Sequence, residues 1–217
     1  MSYEADVLKF KHPFTFCVIG PTGSGKTVFL KNLLIKHKSL IIPNVQKILY
    51  FYSIWQPIYT DILNDNPNVE FIQGYKNECE LLDSKEVNLI VLDDLMEECK
   101  DNPEIAKIFT KASHHMNLSV IFLSQNLFLQ GRQTRTISLN SHYMAIFKNP
   151  RDRAQFSFLS RQMFPGDTKY LNECFTDATS EPHGYLFLDF KQNTPENLRV
   201  RTKILENNPV IYLKRNN

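Results

Sequence analysis

Short, nearly continuous apolar runs alternate along the chain with stretches whose apolar residues recur every three or four positions. The runs fall at residues 14–19, 47–52, 69–72, 87–92, 118–123, 143–147 and 185–190. Each is too short for a helix, and most are rich in β-branched or aromatic residues, so they predict strands, the longest of them buried on both faces. Helical spacing occurs at 28–35, from Pro103 to about Ala112, at 151–163 and at 168–175. Pro103 suits a first helical turn, where its missing N–H costs nothing. Asn66-Pro67-Asn68 reads as a turn. Residues 198–204 alternate apolar and basic side chains, the pattern of a strand with one wet face. Strands alternating with helices predict an α/β fold: a three-layer sandwich around a mainly parallel sheet, closed by a C-terminal strand pair. No repeat, low-complexity tract or linker interrupts it, so residues 1–217 are expected to form a single domain.

The junction between the first strand and the first helix carries the clearest chemistry. Gly20-Pro21-Thr22-Gly23-Ser24-Gly25-Lys26-Thr27 matches the phosphate-binding pattern G-x-x-x-x-G-K-[ST] at every position. Glycines let the backbone turn so that successive N–H groups point inward at a helix N-terminus and cradle a polyphosphate. Lys26 is expected to reach the β- and γ-phosphates, and the Thr27 hydroxyl to hold Mg²⁺. ATP and Mg²⁺ are therefore the expected ligands.

A second group of residues turns a binding loop into a hydrolytic site. The apolar run ending at Leu92 opens into Asp93-Asp94. Asp93 is placed to hold Mg²⁺ and Asp94 to polarise the water that attacks the γ-phosphate, with Glu97 or Glu98 as substitute bases. Gln125, just past the strand at 118–123, is the expected sensor of the γ-phosphate or of the attacking water. Arg132, Arg135, Arg151 and Arg153 are candidates for an arginine supplied to a neighbouring site, and Arg135 is the choice among them. His114, His115, His142 and His183 lack metal-ligand spacing and read as structural. Tyr50, Phe51, Tyr52, Trp55 and Tyr59 offer faces for stacking bases, but core packing beside a strand is the better reading.

Composition narrows the setting. The 217 residues are 42% apolar and 22% charged, ordinary for a soluble globular protein. No apolar run approaches a membrane span and residues 1–6 do not resemble a signal peptide, which points to an intracellular protein with no membrane partner. Cys17, Cys79, Cys99 and Cys174 are scattered, so reduced thiols are expected and neither disulfides nor zinc. The net charge of +2 hides segregation: residues 61–104 hold 13 acidic and 3 basic side chains, whereas residues 125–169 hold 7 basic and 2 acidic. The last 27 residues, from 191, add 6 basic and 2 acidic. Such separation suits a basic face for nucleic acid or a neighbouring subunit.

Taken together, the loop, the acidic strand, Ser124-Gln125-Asn126, Asn149-Pro150-Arg151-Asp152 and His183-Gly184-Tyr185 give the chain a specific likeness. From about Phe14 to Tyr212 it resembles the viral genome-packaging ATPases of the FtsK–HerA superfamily, including the poxvirus DNA-packaging ATPase and the versions in Polinton-like and adintovirus-type elements. That resemblance implies a P-loop NTPase fold of the RecA/FtsK-like ASCE class. It also implies a homo-oligomeric ring, a hexamer or pentamer, that drives double-stranded DNA into a capsid. Capsid proteins would be partners, and an arginine acting in trans would follow from the ring. Most strand-helicase-like ATPases carry Glu where this chain has Asp94, and no added DNA-binding or nuclease domain is expected, so residues 130–135 and the basic tail are the expected DNA grip. A helicase or capsid-free DNA pump would use the same motifs, and a nucleoside or nucleotide kinase would share the loop. A GTPase is disfavoured, because no Asn-Lys-x-Asp motif is present and no Asp-x-x-Gly follows the acidic strand.

Overall fold

Among the described residues, nine strands form one sheet whose centre is the strand that leads into the phosphate loop. The computed structural model describes residues 7–75, 82–95, 102, 105, 107–108, 117–127 and 139–214. In chain order the strands are β1 (Phe10–Lys11), β2 (Thr15–Ile19), β3 (Ile41–Ile42), β4 (Lys47–Tyr52), β5 (Val69–Gln73) and β6 (Asn88–Asp93). They continue with β7 (Leu118–Ser124), β8 (Tyr143–Phe147), β9 (Tyr185–Asp189), β10 (Val200–Thr202) and β11 (Val210–Ile211). The helices are α1 (Lys26–Ile35), α2 (His37–Leu40), α3 (Pro57–Asp65), α4 (Ala154–Met163) and α5 (Thr168–Ala178). The main sheet runs β11-β10-β9-β8-β2-β7-β6-β4-β5, and β1 pairs with β3 in a separate two-stranded ribbon. Every pairing from β8 through β5 is parallel, and those joining β8, β9, β10 and β11 are antiparallel. The carboxyl ends of β2, β6 and β7 therefore open on one edge, where ligands bind in open α/β sheets.

The pleat divides the core between the two faces. Cys17, Ile19, Ile90 and Leu92 point to the side covered by α4 and α5, through Phe156, Leu159, Leu171 and Cys174. Phe16, Val18, Leu89 and Val91 point to the other, covered by α1 and α3 through Phe29, Leu30, Leu33, Leu34, Tyr59 and Ile62. Each fully buried Leu or Phe contributes about 1.5–3 kcal/mol, so both layers are anchored by ordinary apolar packing. This is the three-layer α/β sandwich that the alternation of runs predicts. Cys17 and Cys174 are free and buried, and burial pushes their thiols up to about 12 and about 11. Cys79 and Cys99 lie outside the described residues. No helix among the described residues is long and apolar enough to cross a membrane.

Several local expectations need correction. Helix α3 is absent from the sequence reading, although Ile58, Tyr59, Ile62 and Leu63 fall at helical spacing behind a Pro suited to a first turn; at nine residues it is short, and only Tyr59 and Ile62 are buried. Helix α4 starts at Ala154, not at 151, because Asn149 and Asp152 draw the chain into a turn by accepting the backbone N–H groups of Arg151 and Gln155. The predicted wet strand at 198–204 is only three residues long, and its central Arg201 is buried, paired with Asp189 at 2.8 Å. Much of the helix expected from Pro103 lies outside the described residues, although Ile105 and Ile108 are buried in the core.

Candidate active site

The loop at residues 20–27 is held by backbone bonds at both ends. Gly20 donates its N–H to the Ser124 carbonyl at 3.0 Å, tying the loop to the end of β7. Ser24 closes a turn onto the Pro21 carbonyl at 3.1 Å, and Phe29 begins the helical ladder by donating to the Gly25 carbonyl at 2.8 Å. Gly23 and Gly25 take φ values of 78° and 103°, which a side chain would oppose, so these two positions require glycine. Helix α1 starts with no acidic residue in its first turn, leaving its N-terminal N–H groups and positive dipole end directed at the loop. Lys26 folds its ammonium onto the carbonyls of Gly20 (2.5 Å) and Pro21 (3.0 Å). Burial pulls its pKa down, and Asp93 and Asp94 pull it back up.

Across the cleft, Asp93 ends β6 and is only 4% exposed. Its Oδ2 accepts two phenolic hydroxyls, from Tyr50 at 2.6 Å and Tyr59 at 2.9 Å. Burial raises the Asp93 pKa; the two phenols and Lys26 oppose that rise, and Asp94 adds to it. The next residue, Asp94, turns out of the strand with φ 56° and is exposed. A non-glycine residue in that region costs of order 1 kcal/mol or more, and such strain concentrates at functional sites. Gln125 Nε2 reaches Asp94 Oδ1 at 3.4 Å, so the expected base and the expected sensor are neighbours across β6 and β7.

A cleft of about 420 Å³ gathers these groups: Gly23, Gly25, Lys26, Thr27, Asp93, Asp94 and Gln125 all line it. Its far rim is the start of α3, through Gln56, Pro57 and Ile58. Pro21, Thr22, Gly23 and Ser24 line a second recess of about 420 Å³ against the loop at 179–184, with Thr22, Gly23 and His183 shared between the two. The sequence-predicted loop residues, both aspartates and Gln125 are thus brought together. Arg132 and Arg135 lie outside the described residues, as do Glu97 and Glu98, His114 and His115, and the loop at 130–135; Arg151 and Arg153 lie just before α4, and Arg151 is exposed.

Two features escape sequence reasoning. His183 reads as structural from the sequence, yet it lines both recesses and its Nδ1 lies 3.2 Å from the Ser24 carbonyl. Its ring packs so close to Gly25 that a Cβ there would sit 3.1 Å from Nδ1. The aromatic group at 50–59 reads as core, and Tyr50 and Tyr59 are indeed buried, but their hydroxyls end on Asp93. His142 is structural as expected, its Nδ1 accepting from the Thr15 N–H at 3.0 Å. Among the described residues no group of three or more His, Cys, Asp or Glu could hold a metal ion by itself. Hard oxygen donors are nevertheless present, since the Thr27 hydroxyl and Asp93 carboxylate share the cleft. One or two such ligands suit Mg²⁺, which keeps several waters and takes its remaining oxygens from phosphates.

A family model described as "Poxvirus A32 protein" matches residues 2–152. No curated protein matches the chain by sequence. Among solved structures, the genome packaging NTPase B204 of Sulfolobus turreted icosahedral virus 2, in complex with ATP-gammaS, is similar with a TM-score of 0.59 at 13% identity, covering 87% of this chain and 96% of B204. The B204 DNA-packaging ATPase of Sulfolobus Turreted Icosahedral Virus gives a TM-score of 0.53 at 14% identity, with 82% and 93% covered. EssC (ATPases 2 and 3) from Geobacillus thermodenitrificans gives 0.55 at 15% identity, covering 92% of this chain and 39% of EssC. At these identities the shared property is the fold.

Proposed function

This chain belongs to the poxvirus A32 protein family, and from that premise we propose that it is an ATP-driven translocase that packages viral double-stranded DNA into a capsid. The observation that carries the reading is the convergence of Lys26, Thr27, Asp93, Asp94 and Gln125 on one cleft at the carboxyl edge of the sheet. Family membership supports the packaging role, and so does the likeness in fold to B204, a genome packaging NTPase whose structure holds ATP-gammaS.

In this reading the loop at 20–27 binds the triphosphate through its N–H groups, and Lys26 leaves the Gly20 and Pro21 carbonyls to neutralise the β- and γ-phosphates. Thr27 and Asp93 would hold Mg²⁺, which when bound would supply charge neutralisation for the triphosphate. Asp94 takes a proton from the attacking water as its oxygen bonds to the γ-phosphorus and the bond to the β-γ bridging oxygen breaks. Gln125, within reach of Asp94, positions that water and senses its loss. Arg135 neutralises transition-state charge in the site of a neighbouring copy, within a hexameric or pentameric ring in the infected cell. The basic stretches at 125–169 and 191–217 meet DNA or the acidic side of the next subunit, and capsid protein is the docking partner.

Phosphate release by the purified protein, with and without blunt duplex DNA, together with the mass of the assembly, tests this reading. Duplex-stimulated release of free phosphate from a ring supports packaging. Strand separation without duplex stimulation replaces it with a helicase, and a phosphorylated small-molecule product replaces it with a kinase. Mixing Arg135→Ala with Lys26→Ala subunits should restore some turnover; no recovery removes Arg135 from the trans role.

A further inference from the structure

Two hydroxyls from two different elements end on one oxygen of Asp93. Tyr50 projects from β4, the strand next to β6, and Tyr59 from α3. Their oxygens lie 2.6 Å and 2.9 Å from the same atom, Oδ2. Oδ2 is therefore taken by two protein donors, and Oδ1 is the oxygen left for the cleft that Asp93 lines. Two converging donors on one oxygen fix the plane of a carboxylate that would otherwise rotate about its last bond.

The donors are themselves held still. The Tyr59 ring lies 5.1 Å from Tyr50, 5.2 Å from Phe71 and 5.5 Å from both Tyr52 and Trp55, and it has no exposed surface. Tyr50 is stacked on Phe71 at 4.5 Å. An aromatic group packed for burial alone has no need to aim two hydroxyls at a single buried carboxylate. The polar ends of these rings have a specific destination, as buried phenols require.

We propose that Tyr59, together with Tyr50, is a positioning residue that presents Asp93 Oδ1 to the nucleotide-bound metal. The proposal rests on the reading of Asp93 as the Mg²⁺-holding acid and adds to it the partners that orient it. Groups that orient a metal-holding side chain typically account for about 10–100-fold in metal affinity or activity.

The experiment compares Tyr59→Phe, Tyr50→Phe and Asp93→Asn with the unmodified full chain. Mn²⁺ binding to the protein–ADP complex is followed by electron paramagnetic resonance, and Mg²⁺ is titrated in the ATPase assay. Binding of a fluorescent ATP analogue in EDTA reads nucleotide affinity without metal. Tyr59→Phe should weaken Mn²⁺ binding about 10-fold and raise the Mg²⁺ concentration for half-maximal turnover to match, with metal-free nucleotide binding unchanged. A purely structural tyrosine would lower stability and leave the metal dependence of the folded fraction where it was, and that result overturns the proposal. If Tyr59→Phe does not fold, Tyr50→Phe is judged by the same criterion. Asp93→Asn separates the two levels. If it retains full Mn²⁺ binding, the assignment of Asp93 fails and the proposal with it. If it loses binding while both phenylalanine variants keep theirs, only the positioning role fails.

Discussion

Two buried carboxylates stand at opposite edges of the same sheet, and the charge of their partners separates them. Asp93 ends β6 at the edge where the parallel strands finish. Asp189 ends β9, which runs antiparallel to β8 and pairs it with Tyr143, the first residue of β8, so it sits at the edge where those strands begin. Both are under 5% exposed. Asp189 is met by the guanidinium of Arg201 at 2.8 Å and by Thr194 and the Lys191 N–H at 3.0 Å each. Arg201 in turn lies over the Phe187 ring at 4.8 Å. Asp93 is met by two neutral phenols, and burial still holds its pKa above the ordinary carboxylate range. A buried anion matched by a cation within hydrogen-bond distance has its charge answered inside the fold. Asp93, bonded by neutral donors, lines the cleft beside the phosphate loop, and in the proposed reading its charge meets Mg²⁺ there.

Damage at the first edge should therefore remove turnover and spare stability, and damage at the second should do the reverse. The largest effect belongs to Lys26→Ala, which should take ATP hydrolysis to background and abolish nucleotide binding, with the melting temperature close to that of the unmodified protein. Turnover at the normal rate would remove residues 20–27 from the active site. Asp94→Asn should bind ATP and hydrolyse it at least about 10²-fold more slowly, as measured by single-turnover phosphate release. Normal turnover there would transfer the base role to Glu97 or Glu98.

At the other edge, Arg201→Met leaves Asp189 buried without its cation and should cost about 3–5 kcal/mol in urea denaturation. Turnover per folded molecule should not change. Pairing Arg201→Met with Asp189→Leu replaces two buried charges by apolar side chains and should recover most of that loss. A loss equal in the single and double variants would mean that the shape of Arg201, and not the charge of its partner, holds this edge.

The same contrast separates what is legible in the sequence from what is not. The loop at 20–27 is legible because its pattern is local: Gly23 and Gly25 are demanded by backbone torsion, and Lys26 and Thr27 follow at fixed spacing. Asp93 is legible because a charge closing the apolar run at 89–92 would be expelled from the core unless the sheet edge gave it partners. The partners of these acids are not legible, because each comes from an element whose position depends on the sheet order. Tyr59 sits on α3, whose apolar spacing marks Tyr59 as a buried residue but says nothing of the carboxylate its hydroxyl meets. Arg201 looks like a wet-face residue in an alternating strand, since alternation reports which side a residue faces and not what waits there. His183 is hidden for a related reason: 159 positions separate it from the Ser24 carbonyl it meets.

The smallest effect probes the boundary of the active edge. Asp152 Oδ1 accepts the Gln155 N–H at 3.3 Å and Oδ2 accepts Gln155 Nε2 at 2.7 Å, while Gln155 Oε1 accepts the Leu127 N–H at 2.9 Å. The Asn-Pro-Arg-Asp block is thereby joined to the backbone two residues after Gln125. Asp152→Ala should cost about 1 kcal/mol, the usual loss when a side chain capping the start of a helix is removed. It should also lower turnover a few-fold, because the segment carrying Gln125 loses its tether. Asp152→Asn keeps an acceptor for the helix start and should restore stability. If it restores stability without turnover, the tether acts through the second carboxylate oxygen and its bond to Gln155 Nε2. If Asp152→Ala lowers stability alone, this block is a helix cap only, and the active edge ends at Gln125.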